Sequence, residues 1–169
     1  MHERLPATDT ATNAKEWTAL KISTKGQYAL EALLDLQLHA VNGQESLANI
    51  ARRRGISEHY LEQIFNTLRK AGVLESFRGA QGGYRLRREP QSITVGEVLR
   101  ALEGVLSPVK CVCGVPGEKA CDMTPICCTR SLWLDVSNDI DAVVNGITLL
   151  DLVSAYQANP KNNMPEYSI

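Results

Sequence analysis

Ser57–Arg88, SEHYLEQIFNTLRKAGVLESFRGAQGGYRLRR, constrains what this chain can fold into more than any other stretch. It reads as one helix, a tight break and a basic two-stranded hairpin. The Ser57 hydroxyl is placed to accept a hydrogen bond from a free N–H of the first turn, and so to cap the helix. Ile56 before the cap and Leu61 within the helix have the spacing of a hydrophobic staple. Leu61, Ile64, Phe65 and Leu68 repeat at i, i+3, i+4 and i+7, one buried helical face. Glu58, His59, Glu62, Gln63, Asn66, Arg69 and Lys70 fall on the other. Gly72 stops the helix by accepting a left-handed conformation. Val73–Phe77 and Tyr84–Arg87 then read as strands, with Arg78 at the base of a turn in which Gly79, Gly82 and Gly83 permit positive φ.

A capped helix followed by a glycine-rich basic hairpin is the plan of a winged helix. Between Arg52 and Arg88 nine Lys or Arg stand against three Glu, a net of +6, although the whole chain carries −1. The near-neutral total therefore hides a concentrated basic patch, the electrostatic footprint of phosphate binding. A solvated basic face on an ordinary helical domain would explain the charge alone. It does not explain the cap, the wing and the charge together, so DNA binding is the preferred reading.

The elements around this stretch complete a helix-turn-helix. Ser46 caps a short helix carrying Leu47, Ile50 and Ala51 inward, and Gly55-Ile56 turns the chain into the second helix. In that motif the second helix enters the major groove with its N-terminal residues at base edges. Ser57, His59, Tyr60 and Gln63 are the candidates, with plain packing as the competing role for Tyr60. Arg52, Arg53 and Arg54 end the first helix and suit phosphate contact. Upstream, Ser23 or Thr24 caps a helix that residues such as Tyr28, Leu30, Leu33, Leu34, Leu36 and Leu38 make apolar on more than one side, and whose His39 reads as a helix-end surface group. Asn42-Gly43 is a turn. Downstream, Thr94 with Glu97 matches a capping box and Ile93 with Val98 a staple, and that helix stops at Gly104.

Ser107–Thr129 is aperiodic and holds all five cysteines, Cys111, Cys113, Cys121, Cys127 and Cys128. The N-terminus lacks a basic start followed by an apolar core, so it is not a secretory signal. No apolar run approaches the ~20 residues of a membrane span. The expected compartment is the cytoplasm, where clustered thiols point to a metal or a redox switch rather than a disulfide framework. Thr129–Asn145 returns to helix, with Trp133, Val136, Ile140 and Val143 on a coiled-coil-like seam. Gly146 ends it, and Thr148 with Asp151 starts a short helix ending near Tyr156. One recognition helix covers little DNA. Two-fold dimers spanning half-sites about 34 Å apart are the usual remedy, so Arg130–Tyr156 is expected to build a homodimer.

The segments ISTKGQYALEALLDL, ISEHYLEQIFNTLRKAGVLESFRGAQGGYRL, ITVGEVLRALEG, CCTRSLWLDV and NGITLLDLV resemble the IscR and NsrR type of bacterial transcription regulators. The resemblance runs from about Leu20 to Ala155. It implies a homodimeric winged-helix regulator whose cysteine loop can hold an iron–sulfur cluster, [2Fe–2S] or [4Fe–4S]. Its DNA contacts carry over onto Lys21 in the N-terminal arm, onto Ser57, Tyr60, Glu62 and Arg69 in the recognition helix, and onto Ser76, Arg78 and Gly79 in the wing. His59 stands where the family often has a small residue. Of its three ligand cysteines, Cys121 and Cys127 keep the five-residue interval, and Thr129 and Trp133 hold the register. The loop is longer here, and Cys113 or Cys111 serves as the first. A histidine three residues after the last cysteine is the fourth ligand in IscR-like proteins, and that position is Arg130, which cannot bind iron. The carboxylate that NsrR-like proteins use is Gln27. Cys111, Cys128, an outside molecule or the partner subunit are the remaining sources.

Zinc fits less well than a cluster, because its paired C-x-x-C spacing is missing. A thiol–disulfide switch, with Lys110, Lys119 or Arg130 lowering a cysteine pKa, is the other candidate. No nucleophile–base set marks an enzyme. The fold expected is mainly α: a winged helix-turn-helix with a two-stranded wing and a long dimerisation helix. Residues 1–20 and 158–169 are read as tails, 21–104 as the DNA-binding domain, 105–128 as the cofactor loop and 129–157 as the dimerisation helices. The function expected is a repressor that binds a pseudo-palindromic operator in double-stranded DNA and senses cluster or redox state. The alternative is a cluster-free regulator of sulfur or cysteine metabolism acting through a protein partner or a thiol switch.

Overall fold

The computed structural model describes residues 23–41, 43–79, 82–112, 124 and 126–160. Helices α1 (Thr24–His39), α2 (Leu47–Arg54), α3 (Glu58–Lys70) and α4 (Val95–Glu103) surround one core, with strands β1 (Leu74–Phe77) and β2 (Gly83–Leu86) between α3 and α4. Helices α5 (Arg130–Gly146) and α6 (Leu149–Ala158) follow. The chain is mainly helical, with one two-stranded antiparallel sheet in which Leu74 faces Leu86 and Phe77 faces Gly83.

Each winged-helix element begins where a side chain supplies a missing acceptor. Ser23 accepts from Lys25 and Gly26 N–H, Ser46 from Asn49 N–H and Ser57 from Tyr60 N–H. Helices α2, α3 and α4 stop at glycines, and Gly55, Gly72 and Gly104 all have positive φ, which a Cβ would strain; α1 ends at Ala40 instead. Leu61, Ile64, Phe65 and Leu68 of α3 are fully buried. They pack with Leu33 and Leu36 of α1, Ile50 of α2, Leu74 of β1 and Val98 of α4 in one cluster. Ile56 shares that cluster with Leu61, and Ile93 shares it with Val98, so both staples close.

Three local expectations change. At Thr94 the hydroxyl accepts from Glu97 N–H, but the Glu97 carboxylate turns to Arg88, so Thr94 caps α4 while the acid ties the helix to the wing. The complete capping box forms at Thr148–Asp151. Within the wing turn, Gly79 has φ 113°, whereas Gly82 and Gly83 serve close approach instead. A Cβ on Gly82 would lie 2.6 Å from the Phe77 carbonyl oxygen, and one on Gly83 would lie 2.5 Å from that of Glu45. Third, the cysteine segment begins with a short 3₁₀ turn at Lys110–Val112 that packs against α5.

Helix α5 departs from its expected seam. Ile140 and Val144 pack on Val95, Leu99 and Leu106, a second small core. Val143 is 61% exposed. Trp133 and Val136 are half-buried, and no α5 residue is buried. The α5–α6 junction is strapped to α4 by backbone bonds from Val95 N–H to the Ile147 oxygen and from Leu149 N–H to the Ile93 oxygen. Arg100 adds a bond of 2.8 Å to Asn145 and another to Asp141. Asp141 therefore faces the core side of the helix. No helix among the described residues is long and apolar enough to cross a membrane.

Candidate nucleic-acid interface and cysteine segment

Helix α3 buries one face completely, so its other face is the one available for reading. Ser57, Glu58, His59, Glu62, Gln63 and Arg69 are all exposed there. His59 and Gln63, one turn apart, share a hydrogen bond of 3.1 Å between their side chains. Tyr60 is different. Its half-buried ring packs against the core and meets Tyr28 of α1 edge-on at 6.1 Å. Its packing role is therefore real, and only part of the residue remains exposed.

In the wing, Ser76, Arg78 and Gly79 are exposed. A shallow groove lined by Leu47, Phe77, Tyr84 and these three residues separates the start of α2 from the hairpin. Lys21, Cys113 and Cys121 lie outside the described residues.

The nine cations of the patch sort into two groups. Arg85 pairs with Glu75 and stacks over the Phe77 ring, and Arg88 pairs with Glu97. Arg53 and Arg54 turn inward to Asp35, which is 2% exposed on α1. Arg53 bonds Asp35 Oδ1 through Nε at 2.9 Å and Nη2 at 2.6 Å. Arg54 Nε stands 3.1 Å from Oδ2, in ionic contact without hydrogen-bond alignment. These two arginines are thus corrected from phosphate contacts to internal ones: a buried carboxylate must be paired, and they pair it. Arg52, Arg69, Lys70, Arg78 and Arg87 carry no ion pair among the described residues and remain free to meet phosphate.

Tyr84 and Glu45 support the wing in a way that sequence reading missed. Glu45 exchanges two backbone hydrogen bonds with Tyr84, at 3.0 and 2.9 Å. This makes the turn before α2 a third, one-residue strand of the wing. The Tyr84 ring meets Phe65 of α3 edge-on at 5.0 Å. Burial raises the Tyr84 pKa above its ordinary value; the Glu62 charge raises it further and Arg69 opposes. Burial works against ionisation of Glu45, but hydrogen bonds from Asn49, the Ser46 N–H and Arg53 overcome it and hold this carboxyl below its ordinary value. An aromatic two residues after a Gly-x-x-Gly turn and a lone acid before a Ser cap were the only hints.

Beside α5, Cys127 is half-buried and Cys128 exposed, while Cys111 sits on the 3₁₀ turn that packs against the same helix. The Thr129 hydroxyl, 3.4 Å from Cys127 Sγ, and the Thr129 backbone lower the Cys127 pKa below its ordinary value, and Arg130 adds to the effect. A thiolate is the form that binds metal or attacks a disulfide, so this donor chemistry suits a thiolate-held cluster. Arg130 itself opens α5, with its Nε buried and without a hydrogen-bond partner among the described residues. Among those residues no three His, Cys, Asp or Glu converge.

The model of the Rrf2 family, described as an iron-dependent transcriptional regulator, matches residues 22–155. The HTH-type transcriptional regulator IscR of Aliivibrio salmonicida is 43% identical over 134 residues, 79% of this chain and 77% of that one. Two solved structures are also similar. T. potens IscR has a TM-score of 0.65 at 41% identity, covering 87% of this chain and 94% of its own. CymR of B. subtilis, titled the global cysteine regulator, has a TM-score of 0.64 at 41% identity, covering 80% and 97%.

Proposed function

Since the chain belongs to the Rrf2 family of winged-helix transcriptional regulators, we propose that it represses from a pseudo-palindromic operator in double-stranded DNA as a cytoplasmic homodimer, with an iron–sulfur cluster setting its affinity. The exposed edge of α3 reads bases through Ser57, Glu62 and Gln63, with Tyr60 contributing the part that remains exposed. Arg69 at the end of α3, Ser76, Arg78 and Gly79 of the wing, and Lys21 in the N-terminal arm hold the backbone or the neighbouring groove. Relatives named as transcriptional regulators support a binding protein rather than an enzyme.

The observation that carries the cluster reading is Cys127. Its thiolate is favoured by Thr129 at the head of α5, where a ligand would act directly on that helix. Cys127, Cys121 and Cys113 would hold the cluster, with Cys111 or Cys128 as substitute or fourth ligand, since Arg130 cannot serve. When bound, such a cluster supplies an oxidisable, thiolate-held charge whose potential depends on its exposure. The chain's own part is to hold the thiolates beside α5 and to link α5 to α4 through Arg100, Asp141 and Asn145.

Anaerobic purification followed by iron and sulfide reconstitution tests this. The expected result is visible thiolate-to-iron absorbance and an operator affinity that changes with loading. A protein that stays colourless, or that binds equally with and without iron, sinks the cluster reading. A second reading draws on Arg130 in the ligand position and on the likeness to CymR: a cluster-free regulator of cysteine metabolism acting through a thiol switch or a protein partner. That reading expects unchanged binding after reconstitution.

A further inference from the structure

Asp35 is the one charged side chain buried among the described residues, and it lies on α1, away from the exposed face of α3. Burying a carboxylate is costly unless opposite charge and hydrogen bonds surround it. Two guanidinia meet it, and one of them leads onward. Arg53 Nη2 also reaches Glu45 Oε2 at 2.8 Å. The other Glu45 oxygen accepts from Ser46 N–H at 2.7 Å and Asn49 Nδ2 at 3.0 Å. The Arg53 guanidinium is correspondingly held more firmly in its charged form, first by the Asp35 hydrogen bonds. Glu45 in turn pairs by its backbone with Tyr84 of the wing, and Gly83 beside it leaves room for that pairing only because it lacks a Cβ. Tyr84 closes the circuit on Phe65, in the recognition helix.

We infer that Asp35, Arg53 and Glu45 are positioning residues for DNA reading: they fix the angle of the wing to the recognition helix without touching DNA. The inference rests on the proposed DNA-reading surface. The physical reason is that a two-stranded hairpin is marginal alone, and among the described residues this one meets the rest of the domain at its second strand through one backbone bridge, to Glu45, beside the packing of Tyr84 and Leu86 on the core. An ionic triad with short, convergent bonds removes the freedom of that bridge to slide. Sites of this kind act through geometry, so their loss should be felt in discrimination between sequences more than in general affinity for phosphate.

Glu45→Gln isolates the link. It is nearly isosteric, retains an oxygen for Ser46 and Asn49, and presents Arg53 with a donor in place of an acceptor. The probes are the duplex that the full-length wild-type protein selects from a randomised library, and a scrambled duplex of the same composition. The expected result is an affinity about tenfold weaker for the selected duplex and within about twofold of wild type for the scrambled one. The melting temperature should move by less than about 4 °C. In an Arg78→Ala background, where the wing no longer reads, the effect of Glu45→Gln should shrink to within about twofold, because the two residues act along one route. Arg53→Lys should restore part of the discrimination that Arg53→Met loses. Equal losses on both duplexes, a tenfold loss that persists beside Arg78→Ala, or unchanged binding overturns the inference. A wild-type protein that selects no sequence defeats the DNA-reading proposal itself, and that outcome appears before any variant is made.

Discussion

The winged-helix half and helix α5 are built by opposite means. In the first half nearly every element has a side-chain cap, a glycine stop and a fully buried apolar face. Helix α5 is the longest helix among the described residues, yet it has no side-chain cap and no buried residue. Leu132 is 54% exposed and Val143 61% exposed on it, and Ile126 just ahead of it is 74% exposed. The charge divides in the same way: residues 130–160 carry one arginine against four aspartates, opposite in sign to the basic stretch before them. Such a contrast teaches that one half is satisfied within a single chain, while the other presents apolar surface that a partner would cover. A second copy is the proposed partner.

The sharpest break of this comparison is a charge on the exposed side of α5. Leu132→Asp combined with Val143→Asp should abolish pairing outright, taking the sedimenting species from two chains to one with the helical circular dichroism largely kept. A species unchanged in mass would show that α5 is not the contact. Next in size is the core of the other half. Leu68→Ala should cost about 2–5 kcal/mol in thermal or denaturant unfolding, because the cavity it leaves is fully enclosed. Val143→Ala, measured at dilution below assembly, should cost less than about 0.5 kcal/mol; equal costs at the two sites would erase the distinction.

The smallest effect concerns pH. The Thr148 hydroxyl, then its backbone N–H, hold Asp151 below the ordinary carboxylate value near 3.8. A depressed pKa means that the folded state favours the charged form. The box therefore stabilises α6 fully above pH 3.8, and this contribution is lost as pH falls through the depressed folded value. Asp151→Asn should remove that acid-limb dependence from amide exchange in α6 while leaving exchange in α3 unmoved. Exchange in α6 that keeps the same acid limb in the variant would assign the dependence elsewhere.

Much of this was legible beforehand because local rules govern it. Ser46, Ser57, Gly55 and Gly72 act within one turn of themselves, and the apolar period of α3 needs only an inside and an outside. The exposed positions of Ser57, Glu62, Gln63 and Arg69 follow from that same period. Arg53 and Arg54 were misread because what decides them is Asp35, a buried acid eighteen residues upstream of Arg53. Val143 was placed on a seam that the fold divides, since α4 claims Ile140 and Val144 instead.

By itself, then, the sequence determined the capped helices, the wing, the basic excess and a cysteine segment ahead of an apolar helix. Each of these depends on neighbours a few residues away or on composition. Only the tertiary structure decided which arginines stay free for phosphate, how Glu45 joins the wing to α2, and which side of α5 is left uncovered. Those outcomes turn on contacts between residues far apart in the chain. There the cost of burying one carboxylate, or the room left by one missing Cβ, outweighs any local preference.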